Sequence, residues 1–286
     1  MKIAIIGANG QLGSDLSDLA AKAGHEITKL THADISVEDI DLVHKALASI
    51  KPTYILNTAA YLNVPLCEEN PLESYAVNSI GALNVSRVAA DLGSIHVYYS
   101  TNYVFDGAKG KPYIEIDRPN PLNVYATTKL AGEYHTLAAN DKNLVLRVSG
   151  VYGKVPCRAK GSNFVTTMIR LAAEKNEVRV IADEVLTPTS SVAIAHGTLD
   201  LLKMGAGGLF HVTSEGECSW YDFAKVIFET LKLKTPLHRA NVGEFRVSVK
   251  RPDYSVLENR RLRSLGVHHL PHWKEGLETF LRDTIL

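Results

Sequence analysis

Residues 7–13 read Gly7-Ala8-Asn9-Gly10-Gln11-Leu12-Gly13, a G-x-x-G-x-x-G turn between a short apolar run and an amphipathic one. Lys2 to Ile6 is apolar, rich in isoleucine and closed by Gly7, which predicts a buried strand. Gln11 to Ala23 carries Leu12, Leu16, Leu19, Ala20 and Ala23 at helical spacing, and Gly24 ends it. A glycine turn in that strand–helix context restricts the chain to a few folds. Gly7 permits the tight turn, Gly10 lets a pyrophosphate approach the backbone at the helix start, and Gly13 lets helix and strand pack closely. Gln11 and Leu12 lie in the same turn and are candidate cofactor contacts.

The rest of the first half repeats this rhythm. Strands are predicted at Glu26–Leu30, Tyr54–Asn57, Ile95–Ser100 and Leu144–Val148, and helices at Val37–Ile50, Tyr75–Leu92 and Tyr125–Asn140. Strands alternating with amphipathic helices imply an α/β fold, a Rossmann-type doubly wound parallel sheet with helices on both faces. After Tyr152 the alternation loosens. Helices are expected at Asn163–Lys175, Val192–Leu202 and Ser219–Leu231, and strands at Val178–Ile181 and Leu209–Thr213. Ser219 with Asp222 forms a carboxylate variant of the capping box. The division expected is a dinucleotide-binding domain over 1–150 plus roughly 187–204. A smaller, interleaved substrate domain takes 151–186 and 205–286.

Composition removes several function classes. Lys plus Arg and Asp plus Glu are both 31, so the formal net charge is zero and nothing draws the chain to a phosphate backbone or an anionic membrane. No run of about 18 apolar residues exists to span a bilayer. The N-terminal apolar run is too brief for a signal peptide, so the cytoplasm is the expected compartment. The three cysteines, Cys67, Cys157 and Cys218, are far apart and suit small buried thiols in a reducing compartment. His268, His269 and His272 lack supporting carboxylate or cysteine spacing, so no metal site is assigned.

The second strand ends without the acid that usually holds a ribose 2′-hydroxyl. Leu30 is followed by Thr31 and His32, and Asp34 comes late. NADPH is therefore tolerated as well as NADH. Asp34 and Ile35 are expected to flank the adenine, the other reading of Asp34 being a cap on the next segment. Ala59, Ala60 and Tyr61 end the third strand and leave room for the cofactor.

Tyr125 and Lys129 stand four residues apart on one helical face, after Ser100-Thr101-Asn102-Tyr103 at the end of the fourth strand. Together these features point to carbonyl reduction. The Lys129 ammonium is expected to lower the Tyr125 pKa from its ordinary value near 10. The phenol then gives a proton to a carbonyl oxygen while a nicotinamide gives hydride to the carbon. Thr101 can hydrogen-bond the same oxygen.

These stretches resemble the extended short-chain dehydrogenase/reductases, and within them the dTDP-4-dehydrorhamnose reductase family. The resemblance runs over nearly the whole chain. It includes Gly7–Gly13, Ala59-Ala60-Tyr61, Ser100–Gly107, Lys111-Pro112-Tyr113, Pro119–Tyr125, Leu146–Ser149, Val151-Tyr152-Gly153, Asn163-Phe164-Val165, Pro188-Thr189, Cys218–Tyr221 and Arg251-Pro252. It implies reduction of a nucleotide-activated 4-keto-6-deoxy sugar with NADPH or NADH. Tyr125, Lys129 and Thr101 would be catalytic, Tyr125 and Lys129 would also touch the cofactor, and a homodimer is allowed.

Three departures fall where sugar should bind. Asn102 replaces the family's usual Asp, Gly150 replaces a Trp, and Leu62–Leu66 replaces a polar stretch. The gap at Gly150 either admits a bulkier substituent or is filled from the second domain near Val155 or Trp220. Thr101, Asn102, Gly150 and Arg251 are the candidate substrate contacts, Arg251 through phosphate. Two other readings stay open. One is a non-catalytic nucleotide-binding subunit resembling the methionine adenosyltransferase β subunit, to which Asn102 is similar. The other is a different nucleotide-sugar reductase or epimerase.

Overall fold

The computed structural model describes residues 1–158, 161–245 and 249–286. Its strands are β1 (Lys2–Ile6), β2 (Glu26–Leu30), β3 (Tyr54–Asn57), β4 (Ile95–Thr101), β5 (Leu144–Val148), β6 (Val178–Ile181), β7 (Val185–Leu186), β8 (Gly208–His211), β9 (Cys218–Ser219) and β10 (Leu237–Ala240). Its helices are α1 (Gln11–Lys22), α2 (Ile40–Ile50), α3 (Val64–Glu69), α4 (Pro71–Tyr75), α5 (Gly81–Leu92), α6 (Val124–Ala139), α7 (Phe164–Glu174), α8 (Ser191–Lys203), α9 (Trp220–Thr230), α10 (Arg260–Ser264) and α11 (Trp273–Thr284). No helix among the described residues is long and apolar enough to cross a membrane.

Six strands form one parallel sheet in the order β2-β1-β3-β4-β5-β8. The alternation of side chains along β1 shows why it is covered on both faces. Ile3 and Ile5 enter the core shared with Leu16, Ala20, Ile194 and Leu201 of α1 and α8. Ala4 and Ile6 enter the opposite core with Val43 and Leu47 of α2 and Val85 and Val88 of α5. A strand buried on both sides reads as an unbroken apolar run, as β1 does. The order reverses at β1, whose neighbours are β2 and β3, so the cleft of this doubly wound sheet opens above the β1/β3 junction.

A second layer lies beside the sheet. Tyr152, Val165, Met168, Val178, Phe223, Ile227, Leu277 and Phe280 form its core, drawn from α7, β6, α9 and α11 and the loop after β5. β6 pairs in parallel with β10, and β7 antiparallel with β9. Ser219 and Asp222 form the capping box expected at the start of α9.

The expected boundaries differ most from the structure at β8 and before α5. Segment 205–286 was assigned to the substrate domain, yet β8 joins the main sheet beside β5. Leu262, Val267 and Leu270 follow it into the sheet core. α8 crosses over the sheet and must return a parallel strand, and the run after Gly207-Gly208 supplies one. The helix expected to start at Tyr75 starts at Pro71, and a π turn over Ala76–Ile80 joins α4 to α5.

Two histidines sit wholly inside this fold. His96 on β4 meets the Ser86 hydroxyl at 2.8 Å, and His211 Nδ1 lies 3.1 Å from the Glu258 carbonyl. Burial pushes both down to about 3, so both stay neutral when folded. The unfolded chain takes up these protons below its ordinary value near 6.5, so the stability they carry is complete above that value. It is lost as pH falls from 6.5 toward about 3. His96→Gln should flatten the fall of denaturant midpoint between pH 6.5 and 4, and an unchanged slope would show that His96 titrates freely in the folded chain.

Candidate active site

The cleft begins at the glycine turn. Gly7 and Ala8 donate to the Leu30 carbonyl at 2.8 and 3.1 Å, which folds the turn over the end of β2. Gly7 has φ +77°, a left-handed conformation that glycine adopts without strain. A Cβ at Gly13 would stand 2.3 Å from the Gly7 carbonyl oxygen, so only glycine lets α1 pack this closely on β1. Gly10 caps α1 with extended backbone and no side-chain hydrogen bond, leaving the first-turn amides to face the cleft. Gln11 Nε2 donates to the Val151 carbonyl at 3.0 Å, and Leu12 packs on the sheet core. A cradle of this shape, with open amides at a helix start, fits a dinucleotide pyrophosphate.

At the end of β2, the Asp34 carboxylate accepts from the Thr31 amide at 2.8 Å and the Thr31 hydroxyl at 2.7 Å. These bonds hold it below the usual carboxylate range. Asp34 thus closes its own turn backward onto Thr31, rather than capping the following segment. Ile35 is buried with Leu30, Val37 and Val43. At the end of β3, Ala59, Ala60 and Tyr61 are half-buried. The Tyr61 backbone is held from both sides by Asn78, whose Oδ1 accepts from its amide and whose Nδ2 donates to its carbonyl, both at 2.9 Å. Asn78 also donates to Thr128 at 3.1 Å and accepts the Tyr98 hydroxyl on its carbonyl at 2.8 Å. One residue of the π turn therefore ties the Ala59–Tyr61 loop to α6 and β4.

α6 carries the reactive pair. Asn123 caps it by accepting from Ala126 at 2.9 Å, and Glu68 at the end of α3 accepts from Val124 at 2.7 Å. Glu68 thus closes one helix and caps another. Tyr125 and Lys129 follow one turn apart, next to the end of β4. The Thr101 hydroxyl lies beside the Tyr125 phenol, accepts from the Tyr103 amide at 3.2 Å and donates to Asn102 at 3.3 Å. The Tyr103 ring meets the Tyr125 ring edge-on at 6.3 Å.

The electrostatics differ from the expectation. Burial pushes the Tyr125 phenol above its ordinary value, while the Thr101 hydrogen bond pulls it back. Desolvation outweighs any lowering by Lys129. Its ammonium stands 3.9 Å above the Tyr98 ring and is itself desolvated, which pushes it down to about 7.

On the substrate side, Asn102 is 3 % exposed and donates to the Ser255 hydroxyl at 2.7 Å. Arg251 lines a cleft of about 170 Å³ with Glu184, Val242, Val249, Lys250 and Asp253. Its buried Nε has no hydrogen-bond partner among the described residues, which fits an arriving phosphate. Tyr103 feels both Arg251 and the buried Glu184, and burial pushes its phenol up to about 12. Gly150 has φ +52°, and a Cβ there would lie 3.0 Å from both Leu186 Cδ1 and Pro188 Cα. The wall beside it is closed by segment 186–188 and not by Val155 or Trp220, the latter stacking on Phe164 at 4.5 Å. Any side chain at 150 is strained.

The structure brings Tyr125, Lys129, Thr101 and Asn102 together, one strand from the loop of Ala59–Tyr61 and two from the glycine turn. Arg251 joins them through Tyr103. Sequence reasoning did not assign Asn78, Tyr98 or Glu184 a part. A π turn leaves no periodic mark, and a lone Tyr in a strand or a lone Glu in a loop reads as ordinary structure. The three tail histidines form no metal cluster among the described residues; His269 meets Asp200 at 3.0 Å, and His272 caps α11.

Comparison with known proteins places this geometry. The family model described as RmlD substrate binding domain matches residues 1–285. The chain is 34% identical to the spore coat polysaccharide biosynthesis protein SpsK of Bacillus subtilis, over 99% of this chain and 97% of that one. Among solved structures, a dTDP-4-dehydrorhamnose reductase of Clostridium acetobutylicum superposes with a TM-score of 0.95 at 36% identity, covering 100% of both chains. One from Bacillus anthracis, in complex with NADP, superposes with a TM-score of 0.94 at 35% identity, covering 99% of this chain and 100% of that one.

The buried lysine makes the site testable through stability. Lys129 falls from its ordinary 10.5 to about 7 on folding, so the unfolded chain holds a proton that the folded chain releases between those values. The cost of burying the ammonium is full below pH 7 and is relieved as pH rises toward 10.5. Lys129→Met should therefore raise Tm at pH 6.5, with the gain shrinking by pH 10. A gain of equal size at both pH values would contradict a desolvated, titrating Lys129.

Proposed function

The chain belongs to the RmlD substrate-binding-domain family, and from that membership and the geometry of α6 we propose that it is a dTDP-4-dehydrorhamnose reductase. It reduces the 4-keto group of dTDP-6-deoxy-L-lyxo-4-hexulose, forming dTDP-L-rhamnose, with NADPH or NADH as reductant. The observation that carries this reading is one helical face. Tyr125 and Lys129 lie one turn apart at the C-terminal edge of the sheet, with Thr101 beside the phenol. The relatives named dTDP-4-dehydrorhamnose reductase, one of them in complex with NADP, support the choice of substrate and cofactor.

The cofactor supplies hydride to carbon 4 of the sugar when bound. Gly7, Gly10 and Gly13 would let its pyrophosphate approach the start of α1, where Gln11 and Leu12 also lie. Thr31, Asp34 and Ile35 border the adenosine end. The Asp34 carboxylate is engaged by Thr31 rather than left free to take a ribose 2′-hydroxyl. Ala59, Ala60 and Tyr61, held in place by Asn78, would form a wall of the cofactor site, and Tyr125 with Lys129 would hold the nicotinamide end.

Tyr125 delivers the proton. A donor must hold its proton before the reaction, and burial keeps this phenol protonated at neutral pH. Thr101 orients the phenol and offers its hydroxyl to the same carbonyl oxygen. As the oxygen gains charge, the phenol proton moves to it, and the Lys129 ammonium one turn away stabilises the phenolate left behind. Asn102 fixes the floor through Ser255, Arg251 holds the diphosphate, and Gly150 leaves the wall to Leu186 and Pro188.

Tyr125→Phe keeps the ring and removes only the proton. The variant should bind NADPH as the parent does and lose roughly 10²–10⁴-fold in kcat. Turnover of dTDP-4-dehydrorhamnose at the parental rate would show that the proton comes from another group.

A further inference from the structure

Below the reactive pair, α6 carries one more charged residue on the same face. Glu133 follows Lys129 by four positions, as Lys129 follows Tyr125, and it is 2 % exposed. Its carboxylate is clamped on both oxygens. Arg147 of β5 donates Nε to Oε1 at 2.9 Å and a terminal nitrogen to Oε2 at 2.6 Å. The Ser100 hydroxyl of β4 donates to Oε1 as well. Arg147 is held in turn over the Phe105 ring, 5.0 Å from its centroid.

Fold stability is a weak reason for this arrangement. Burying two charges costs several kcal/mol per ion, and apolar residues of the same volume often serve as well or better. Position supplies a better reason. Ser100 precedes Thr101 in β4, so the clamp sets the register of α6 against the strand end that bears the Thr101 hydroxyl. It also places a fixed anion one turn from a nearly dry ammonium. The groups facing Lys129 are Tyr125 and Glu133 on its own helix and His96 and Tyr98 on β4. His96 is neutral, the tyrosines are protonated, and Asn78 of the π turn contributes only its amide and carbonyl. Among the described residues, Glu133 is therefore the one anion that opposes loss of the lysine proton.

We propose that Glu133, clamped by Arg147 and Ser100, is a positioning residue that keeps the Lys129 ammonium charged and in register beside the Tyr125 phenol. The proposal rests on the reductase reading only for what the charge then does. The charge itself is a separate, measurable property.

The test follows the Lys129 side-chain amine directly. Nitrogen-15 lysine-labelled full-length chain is titrated by NMR with and without NADPH, and the Lys129 signal is identified by its absence in Lys129→Met. Glu133→Gln keeps the shape and removes the anion, and the Lys129 midpoint should drop by about one pH unit or more. Glu133→Asp should return it toward the parental value. Because Glu133→Gln strands the Arg147 charge, the double variant Glu133→Gln/Arg147→Met is titrated in parallel and should shift the same way. A parental midpoint in the folded Gln variants would overturn the proposal and leave Glu133 a purely structural residue. The pH profile of kcat/KM separates this from the reductase reading. Its alkaline limb should move down with the Lys129 midpoint. If the midpoint moves and the limb does not, the role of Glu133 stands and the catalytic role of Lys129 falls.

Discussion

Lys129 is an ammonium 2 % exposed, and the site is built around tolerating it. In water such a group is fully charged at neutral pH; here desolvation brings it down to about 7. The Tyr98 ring face at 3.9 Å returns part of what water no longer supplies. The lysine can lie there only because α6 is held firmly. Asn123 and Glu68 fix its start, Asn78 grips its first turns through Thr128, and the Glu133–Arg147–Ser100 clamp fixes it against β4 and β5. Tyr125 inherits its position from the same helix, and the Thr101 hydroxyl meets it from the strand end.

The other half of the cleft depends on sheet topology. Parallel strands place the ends of β1, β3 and β4 on one edge, so the glycine turn, the Ala59–Tyr61 loop and Thr101 face the same space. The reversal of strand order at β1 opens that space. A cofactor bound across it would bring its reactive end to α6 with no further device. Under the proposed function, specificity would then rest on Arg251 and Glu184, which line a cleft together, and on Leu186 and Pro188 beside Gly150.

Much of this was legible in the chain because local chemistry and position coincide. The Gly7–Gly13 turn allows few structures between a strand and a helix, and a Tyr and a Lys four apart share a helical face whatever surrounds them. What stayed hidden depends on contacts distant in sequence. The direction of the Tyr125 shift was misread because spacing shows adjacency but not burial. Lys129 turns to Tyr98, a residue 31 positions earlier, and the phenol is governed by desolvation instead. The membership of β8 in the main sheet is set by its crossover from α8, which a loosened rhythm after Tyr152 conceals. Gly150 was read as a missing side chain, whereas its φ of +52° and the nearness of Pro188 make glycine the residue the backbone accepts.

The proposed reaction moves hydride to a sugar carbon while Tyr125 supplies the proton. It is tested most directly by isotope. NADPH carrying deuterium at the transferable position of nicotinamide carbon 4 is incubated with the chain and dTDP-4-dehydrorhamnose, and the product is read by NMR and mass spectrometry. One deuterium is expected, bonded to carbon 4 of dTDP-L-rhamnose, with an equal amount of NADP formed. Deuterium that remains on the cofactor while NADPH binds at the glycine turn would contradict it, and would leave the chain a nucleotide-binding protein without this chemistry.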